Sequence, residues 1–104
     1  SLLSSPPVFQ RVEFRGNEAH VRFDRGAALM VRGGGDRVGG FALAGADRVF
    51  HAAQARIEGD RVVIRSAEVP KPDAVRYGWR DNPEDADLIG RERLPVSPFR
   101  SDAW

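Results

Sequence analysis

The stretch Val12-Glu13-Phe14-Arg15-Gly16-Asn17-Glu18-Ala19-His20-Val21-Arg22-Phe23 decides the fold class. Val12 and Phe14, and again Val21 and Phe23, stand two apart with charged residues between them. That period puts apolar side chains on one face of a strand and charges on the other. Gly16 and Asn17 tolerate the positive φ of a tight turn, so the stretch predicts a β-hairpin. A second hairpin is predicted around Glu58-Gly59-Asp60, joining Ala55-Arg56-Ile57 to Val62-Val63-Ile64. Further strands are expected over 29–32, 41–44 and 74–80. Val49, Ala52, Ala53 and Ile57 also fit a helical stripe. A strand is expected over 52–58 nonetheless, because the hairpin after it needs a partner. About seven short strands separated by turn signals predict an all-β fold, an antiparallel β-sandwich.

The 104 residues suffice for one domain with its own core, and a single domain over 1–104 is expected. Residues 1–7, Ser-Leu-Leu-Ser-Ser-Pro-Pro, read as a linker without the layout of a signal peptide, as if the chain were a piece of a longer protein. Residues 81–104 read as a long polar loop followed by a tail. A structureless connection of that length is uncommon in a compact domain and often serves docking or binding. Sixteen basic residues against fifteen acidic give a net charge of +1, which argues against nucleic acid as a partner. Apolar runs such as 41–44 are far too short to span a bilayer as a helix, and no membrane partner is expected. The chain has no cysteine, which excludes disulfides and thiol chemistry.

Catalytic and metal chemistry find little support. No serine lies in a G-x-S-x-G elbow. Asp47 precedes His51 by four residues, but Gly45-Ala46-Asp47-Arg48 reads as a turn that uses Asp for a local hydrogen bond. His20 falls opposite Val21 and Phe23 and is expected to be exposed. Two histidines thirty-one residues apart give no zinc spacing. The acidic run Asp81, Glu84, Asp85, Asp87 lacks the register of a calcium loop and reads as solvated. The glycines of 33–40 match neither a Walker loop nor a dinucleotide fingerprint and read as a flexible connection. No catalytic residue, metal or cofactor is therefore expected.

Binding rests on aromatic residues. Val75, Tyr77 and Trp79 share one face of the strand expected over 74–80. If exposed, Tyr77 and Trp79 would stack on a sugar ring; if buried, they would form sandwich core. Trp104 is either a packed anchor or a loose end. Arg11, Arg22, Arg61 and Arg65 fall on polar strand faces and read as solvating residues.

Several longer strings carry a resemblance. They are Gly40-Phe41-Ala42-Leu43-Ala44-Gly45-Ala46-Asp47, Phe50-His51, Ala55-Arg56-Ile57-Glu58-Gly59-Asp60, and Val69-Pro70-Lys71-Pro72-Asp73-Ala74-Val75-Arg76-Tyr77-Gly78-Trp79. Asp81-Asn82-Pro83 and Leu94-Pro95-Val96-Ser97-Pro98-Phe99-Arg100-Ser101-Asp102 complete the set. From about Pro7 onward the chain closely resembles the C-terminal region of the sialate O-acetylesterase-like carbohydrate esterases. The resemblance implies a non-catalytic β-sandwich packed on an upstream SGNH hydrolase domain, which holds the serine and the Asp-x-x-His block. Asp47 and His51 are one residue too far apart to be that block. The implied partners are that hydrolase domain and an acetylated glycan, and the implied location is secreted or periplasmic. Docking onto the hydrolase domain is expected through Asn82, Leu94, Pro95, Phe99 and Arg100. The chain departs from the family at Asp87-Leu88-Ile89-Gly90, where relatives commonly read Asn-Leu-Tyr-Asn, so no shared substrate contact is carried over there. The alternative role is a carbohydrate-binding module that uses Tyr77 and Trp79 to target a polysaccharide.

Overall fold

The computed structural model describes residues 8–24, 29–78, 87–90 and 96–102. These contain eleven strands: β1 (Phe9–Arg15), β2 (Glu18–Phe23), β3 (Met30–Val31), β4 (Arg37–Val38), β5 (Phe41–Ala44), β6 (Phe50–Ala52), β7 (Gln54–Glu58), β8 (Arg61–Arg65), β9 (Ala74–Tyr77), β10 (Leu88–Ile89) and β11 (Phe99–Arg100). Every pairing is antiparallel. One sheet runs β1-β2-β8-β7-β4, a second β11-β9-β5-β6, and β3 pairs with β10 in a short third.

Both expected hairpins form. Gly16 and Gly59 take φ of 59° and 63°, the left-handed values that their turns require. The register then sorts side chains by face. Val12, Val21, Val62 and Ile57 align across four strands, and beside them Phe14, Ala19, Ile64, Ala55 and Val38 align across five. Apart from Phe14, which is exposed at the end of its row, these residues meet Phe41, Leu43, Val75 and Tyr77 of the four-stranded sheet in one hydrophobic core. Val21, Val62, Ile64 and Leu43 are fully enclosed. Burial of each such side chain stabilises the fold by roughly 1.5–3 kcal/mol.

Several expectations change in detail. The segment expected as one strand over 52–58 is two: β6 belongs to the four-stranded sheet and β7 to the five-stranded one. The chain changes sheets at Ala53, whose N–H donates to the Phe41 carbonyl at 3.0 Å. Extended geometry prevails over the helical stripe because β5 and β8 offer backbone partners on both sides of that corner. Arg37–Val38, expected within a flexible connection, is the edge strand β4. Part of the expected polar loop and tail is also structured. Leu88 and Ile89 are 0% and 2% exposed as β10, and Phe99–Arg100 is strand β11. The expected linker 1–7 lies outside the described residues.

Candidate functional site

The two strings that carry most of the sequence resemblance meet in space. β11 pairs with β9 so that Phe99 lies opposite Tyr77 and Arg100 opposite Arg76. The Ser101 N–H donates to the Val75 carbonyl at 2.9 Å, and the Val75 N–H donates to Ser101 Oγ at 3.0 Å. Arg76 then forks onto Asp102, with Nε to Oδ1 at 3.2 Å and Nη2 to Oδ2 at 2.9 Å. This bidentate geometry is the strong form of an ion pair. The Asp102 carboxylate is only 1% exposed, and Arg76 also lies 4.0 Å above the Phe50 ring. Hydrogen bonding to Asp102 outweighs desolvation and holds the guanidinium charged more firmly than usual.

Beneath the tail lies an aromatic cluster. The Phe99 ring stacks on Phe9 with centroids 4.5 Å apart and on Tyr77 at 5.6 Å, and it meets Phe23 edge-on at 5.8 Å. Tyr77 is 1% exposed, and its hydroxyl accepts the Leu88 N–H at 2.8 Å. Burial pushes its pKa up to about 12, against the opposing effect of that hydrogen bond. One expectation is thereby corrected. Tyr77 is a core residue with no face open to a sugar, because Phe41 and Phe99 cover its ring. Phe99 is half-buried, with part of its ring packed against this chain's own core. Arg100 is exposed on β11. Trp79, Asn82, Leu94, Pro95 and Trp104 lie outside the described residues.

The polar residues singled out earlier are largely structural. Asp47 Oδ1 accepts the Val49 N–H at 3.1 Å, and Arg48 follows at φ 62°, so the segment is the expected turn. His51 Nδ1 lies 3.5 Å from Glu68 rather than beside Asp47. The His20 side chain is only 12% exposed, contrary to expectation. It is held by Glu18 at 3.1 Å and by Arg61 at 3.5 Å, since the strand register places these long side chains around it. Asp87 fastens the acidic segment to the sandwich: its carboxylate accepts the Gly39 N–H at 2.9 Å and its carbonyl the Arg32 N–H at 2.8 Å. Asp81, Glu84 and Asp85 lie outside the described residues, among which no three His, Cys, Asp or Glu gather to hold a metal.

Sequence reasoning missed a surface on the outer face of the five-stranded sheet. Arg37, Gln54, Ala55, Arg56, Val63 and Arg65 line a depression of about 110 Å³. A second, about 490 Å³, shares Gln54 and Arg65 with it and continues over Ser66 and Glu68 to Asn17. Asn17 is shared in turn with a third, about 460 Å³, which lies off the outer face at the β1–β2 turn and is walled by Phe14 of the inward-facing row, Lys71 and Asp73. The net charge of +1 conceals this arrangement, because the pleat collects arginines on one face. Alternation marks those arginines as outward, but the neighbours of each follow only from strand register.

No family model and no curated protein matches the chain. Among solved structures, a carbohydrate acetylesterase from Xanthomonas citri is similar to it, with 60% sequence identity and a TM-score of 0.87. That similarity covers 94% of this chain and 23% of the esterase chain. The chain is thus a homologue of one part, about a quarter, of a carbohydrate acetylesterase, in keeping with the resemblance its motifs carry.

Proposed function

We propose that the chain is a non-catalytic accessory β-sandwich of a carbohydrate acetylesterase, which braces an SGNH-type hydrolase domain that removes O-acetyl groups from sugars. The observation that carries this reading is 60% identity over 94% of the chain to only 23% of such an esterase. The side chains agree with it. Ser101 caps a strand, Ser66 Oγ accepts the Glu68 N–H, and both histidines face glutamates. None of these contacts prepares a nucleophile, which would need a base within hydrogen-bond reach. Docking would use exposed Arg100 and the uncovered part of Phe99 on β11, together with Asn82, Leu94 and Pro95. Sialate as the parent enzyme's substrate belongs to the same proposal. The burial of Tyr77 weighs against the stacking module as the alternative.

A chimera tests the reading. The matching quarter of the Xanthomonas citri esterase is deleted, and this 104-residue chain is fused in its place. The deletion should lower stability and acetyl release, the fusion should restore both, and the isolated chain should not hydrolyse an activated acetyl ester. Turnover by the isolated chain, or a deletion without effect, overturns the proposal.

A further inference from the structure

The two sheets of the sandwich present opposite kinds of outer face. Directly paired residues share a face, so the register that sends Phe41, Leu43, Val75 and Tyr77 into the core sends their sequence neighbours outward. In the five-stranded sheet the outward rows are built from Arg, Glu, His and Gln, as in Arg11-Arg22-Arg61-Glu58. Val63 is their one apolar member among the paired positions. Covering such a face would strip several charges of their water, so it is a face for solvent.

The outward rows of the four-stranded sheet are different. One is Ala52-Ala42-Arg76-Arg100 and the next is Phe50-Ala44-Ala74, so four of these seven positions carry only a methyl group. The charge at the centre is answered from within the face. The Arg76 guanidinium forks onto Asp102 on the β11 side and lies 4.0 Å from the Phe50 ring centre on the β6 side. It thereby spans Ala74 and Ala44, which are 0% exposed although they point away from the core. A guanidinium already paired with a carboxylate and stacked on a ring loses far less when water leaves than an unpaired charge does. Aromatic rings and arginine with few other charges are also what the centre of a protein interface favours.

A candidate to cover this face follows from the comparison. The chain matches 23% of the Xanthomonas citri esterase, and about three-quarters of that polypeptide lies outside the matched part. Arg100, which the accessory-domain reading places at the docking surface, belongs to an outward row and joins this face to the β11 edge. Strands about 4.8 Å apart with about 3.4 Å per residue give the four-stranded face roughly 250 Å². With the β11 edge added, that reaches the low end of interdomain contacts, ~600–1,500 Å² over both partners.

We infer that the outer face of the four-stranded sheet, from β11 across to Phe50 and Ala52, packs on the remainder of the esterase chain while the five-stranded sheet faces solvent. The identity of this occupant rests on the accessory-domain reading, whereas the contrast between the two faces does not.

Thiol labelling of the chimera and of the isolated chain tests this. The chain has no cysteine, so Ala52→Cys, Arg100→Cys and Arg65→Cys each give it a single thiol. All three residues are exposed; Arg100 reports the β11 edge, Ala52 the far side of the same face, and Arg65 the charged face. Alkylation is followed by peptide mass spectrometry. The thiols of Ala52→Cys and Arg100→Cys should react about tenfold or more slower in the chimera than in the isolated chain, and that of Arg65→Cys equally in both. Ala52→Glu should lower the urea midpoint of the chimera and leave that of the isolated chain unchanged. Equal rates for Ala52→Cys in the two proteins overturn the inference. If acetyl release is restored and only Arg100→Cys is protected, the bracing reading stands and docking is confined to the β11 edge. Protection of Arg65→Cys, with or without that of Ala52→Cys, overturns it by placing the charged face against the esterase. Protection of Ala52→Cys in the isolated chain as its concentration rises also overturns it and identifies a second copy as the occupant. Slow labelling of Ala52→Cys in a chimera that releases no acetyl supports the docking face and sinks the bracing reading alone.

Discussion

Tyr77→Phe isolates one hydroxyl and the single tyrosine of the chain. In the native fold that hydroxyl accepts the N–H of Leu88, a residue with no exposed surface. Phenylalanine preserves the ring and its contacts with Phe41 and Phe99 but leaves the Leu88 donor without this acceptor. A buried donor stripped of its acceptor costs about 1–3 kcal/mol. In urea the midpoint should fall with the m-value unchanged, because the surface exposed on unfolding is nearly the same. The same hydroxyl gives a pH signature. Its pKa is about 12 in the fold against 10.0 for a free tyrosine. Between these values the unfolded chain releases the proton while the native chain keeps it, so stability is full below pH 10 and falls as pH rises towards 12. The loss over that window should be of order 2 kcal/mol, allowing for partial solvent screening. Tyrosinate absorbance in the native chain reports this residue alone and should rise late, together with unfolding. Tyr77→Phe should lack this component of the alkaline destabilisation. Ionisation near pH 10 in the folded chain, or an unchanged urea midpoint in the variant, would refute the argument.

Arg76→Ala removes the bidentate partner of the enclosed Asp102 carboxylate and should cost ~2–4 kcal/mol in urea denaturation; Arg76→Lys should recover less than half, since an ammonium cannot fork. Phe99→Ala should cost ~2–4 kcal/mol, because its ring fills the aromatic cluster, whereas Arg100→Ala should stay within about 0.5 kcal/mol. Similar costs for the two would contradict the packing described for the tail. Gly59→Ala meets no atom within 4 Å but must hold φ at 63°, so a loss of about 1 kcal/mol is expected from backbone strain alone. A neutral result in thermal unfolding would count against the turn geometry.

The legible parts of the fold are those whose signal accumulates over several residues. β1–β2 and β7–β8 each offer two or three alternations and a glycine turn, which is enough to fix both face and register. β3, β4, β10 and β11 are two residues long, and two residues have no period to read. Their stability comes from partners distant in sequence. Leu88 faces Val31, and Phe99 faces Tyr77. The one local clue was the apolar pair Leu88-Ile89 inside an otherwise acidic segment, which has a physical reason to seek the core. The sheet change at Ala53 was hidden for a different reason. Val49, Ala52, Ala53 and Ile57 are apolar on both sides of the corner, so one apolar series serves two sheets and imitates a helical stripe. His20 was misplaced because alternation predicts the face of a residue but not the lengths of the side chains around it.

The tail clip shows why a motif can be long, unusual in composition and still carry no chemistry. Val75-Arg76-Tyr77 and Phe99-Arg100-Ser101-Asp102 look like binding residues in isolation: a tyrosine, two arginines, a serine and an aspartate. In the fold nearly all of that functionality is turned inward on its own counterpart. Ser101 completes the backbone pairing of Val75, Asp102 neutralises Arg76, and the Phe99 and Tyr77 rings stack together. Each partner bonds or packs against the other, so changing one member alone costs the second its main contact, and the motif is constrained as a unit by packing and hydrogen bonding. The Arg37, Arg56 and Arg65 face is the reverse case. Nothing in its sequence is unusual, yet among the described residues only Arg56 of the three makes an ion pair, with Glu58, although Glu18 lies directly opposite Arg65 in the strand register. Function is better sought on the surface the fold presents than where a motif is merely distinctive.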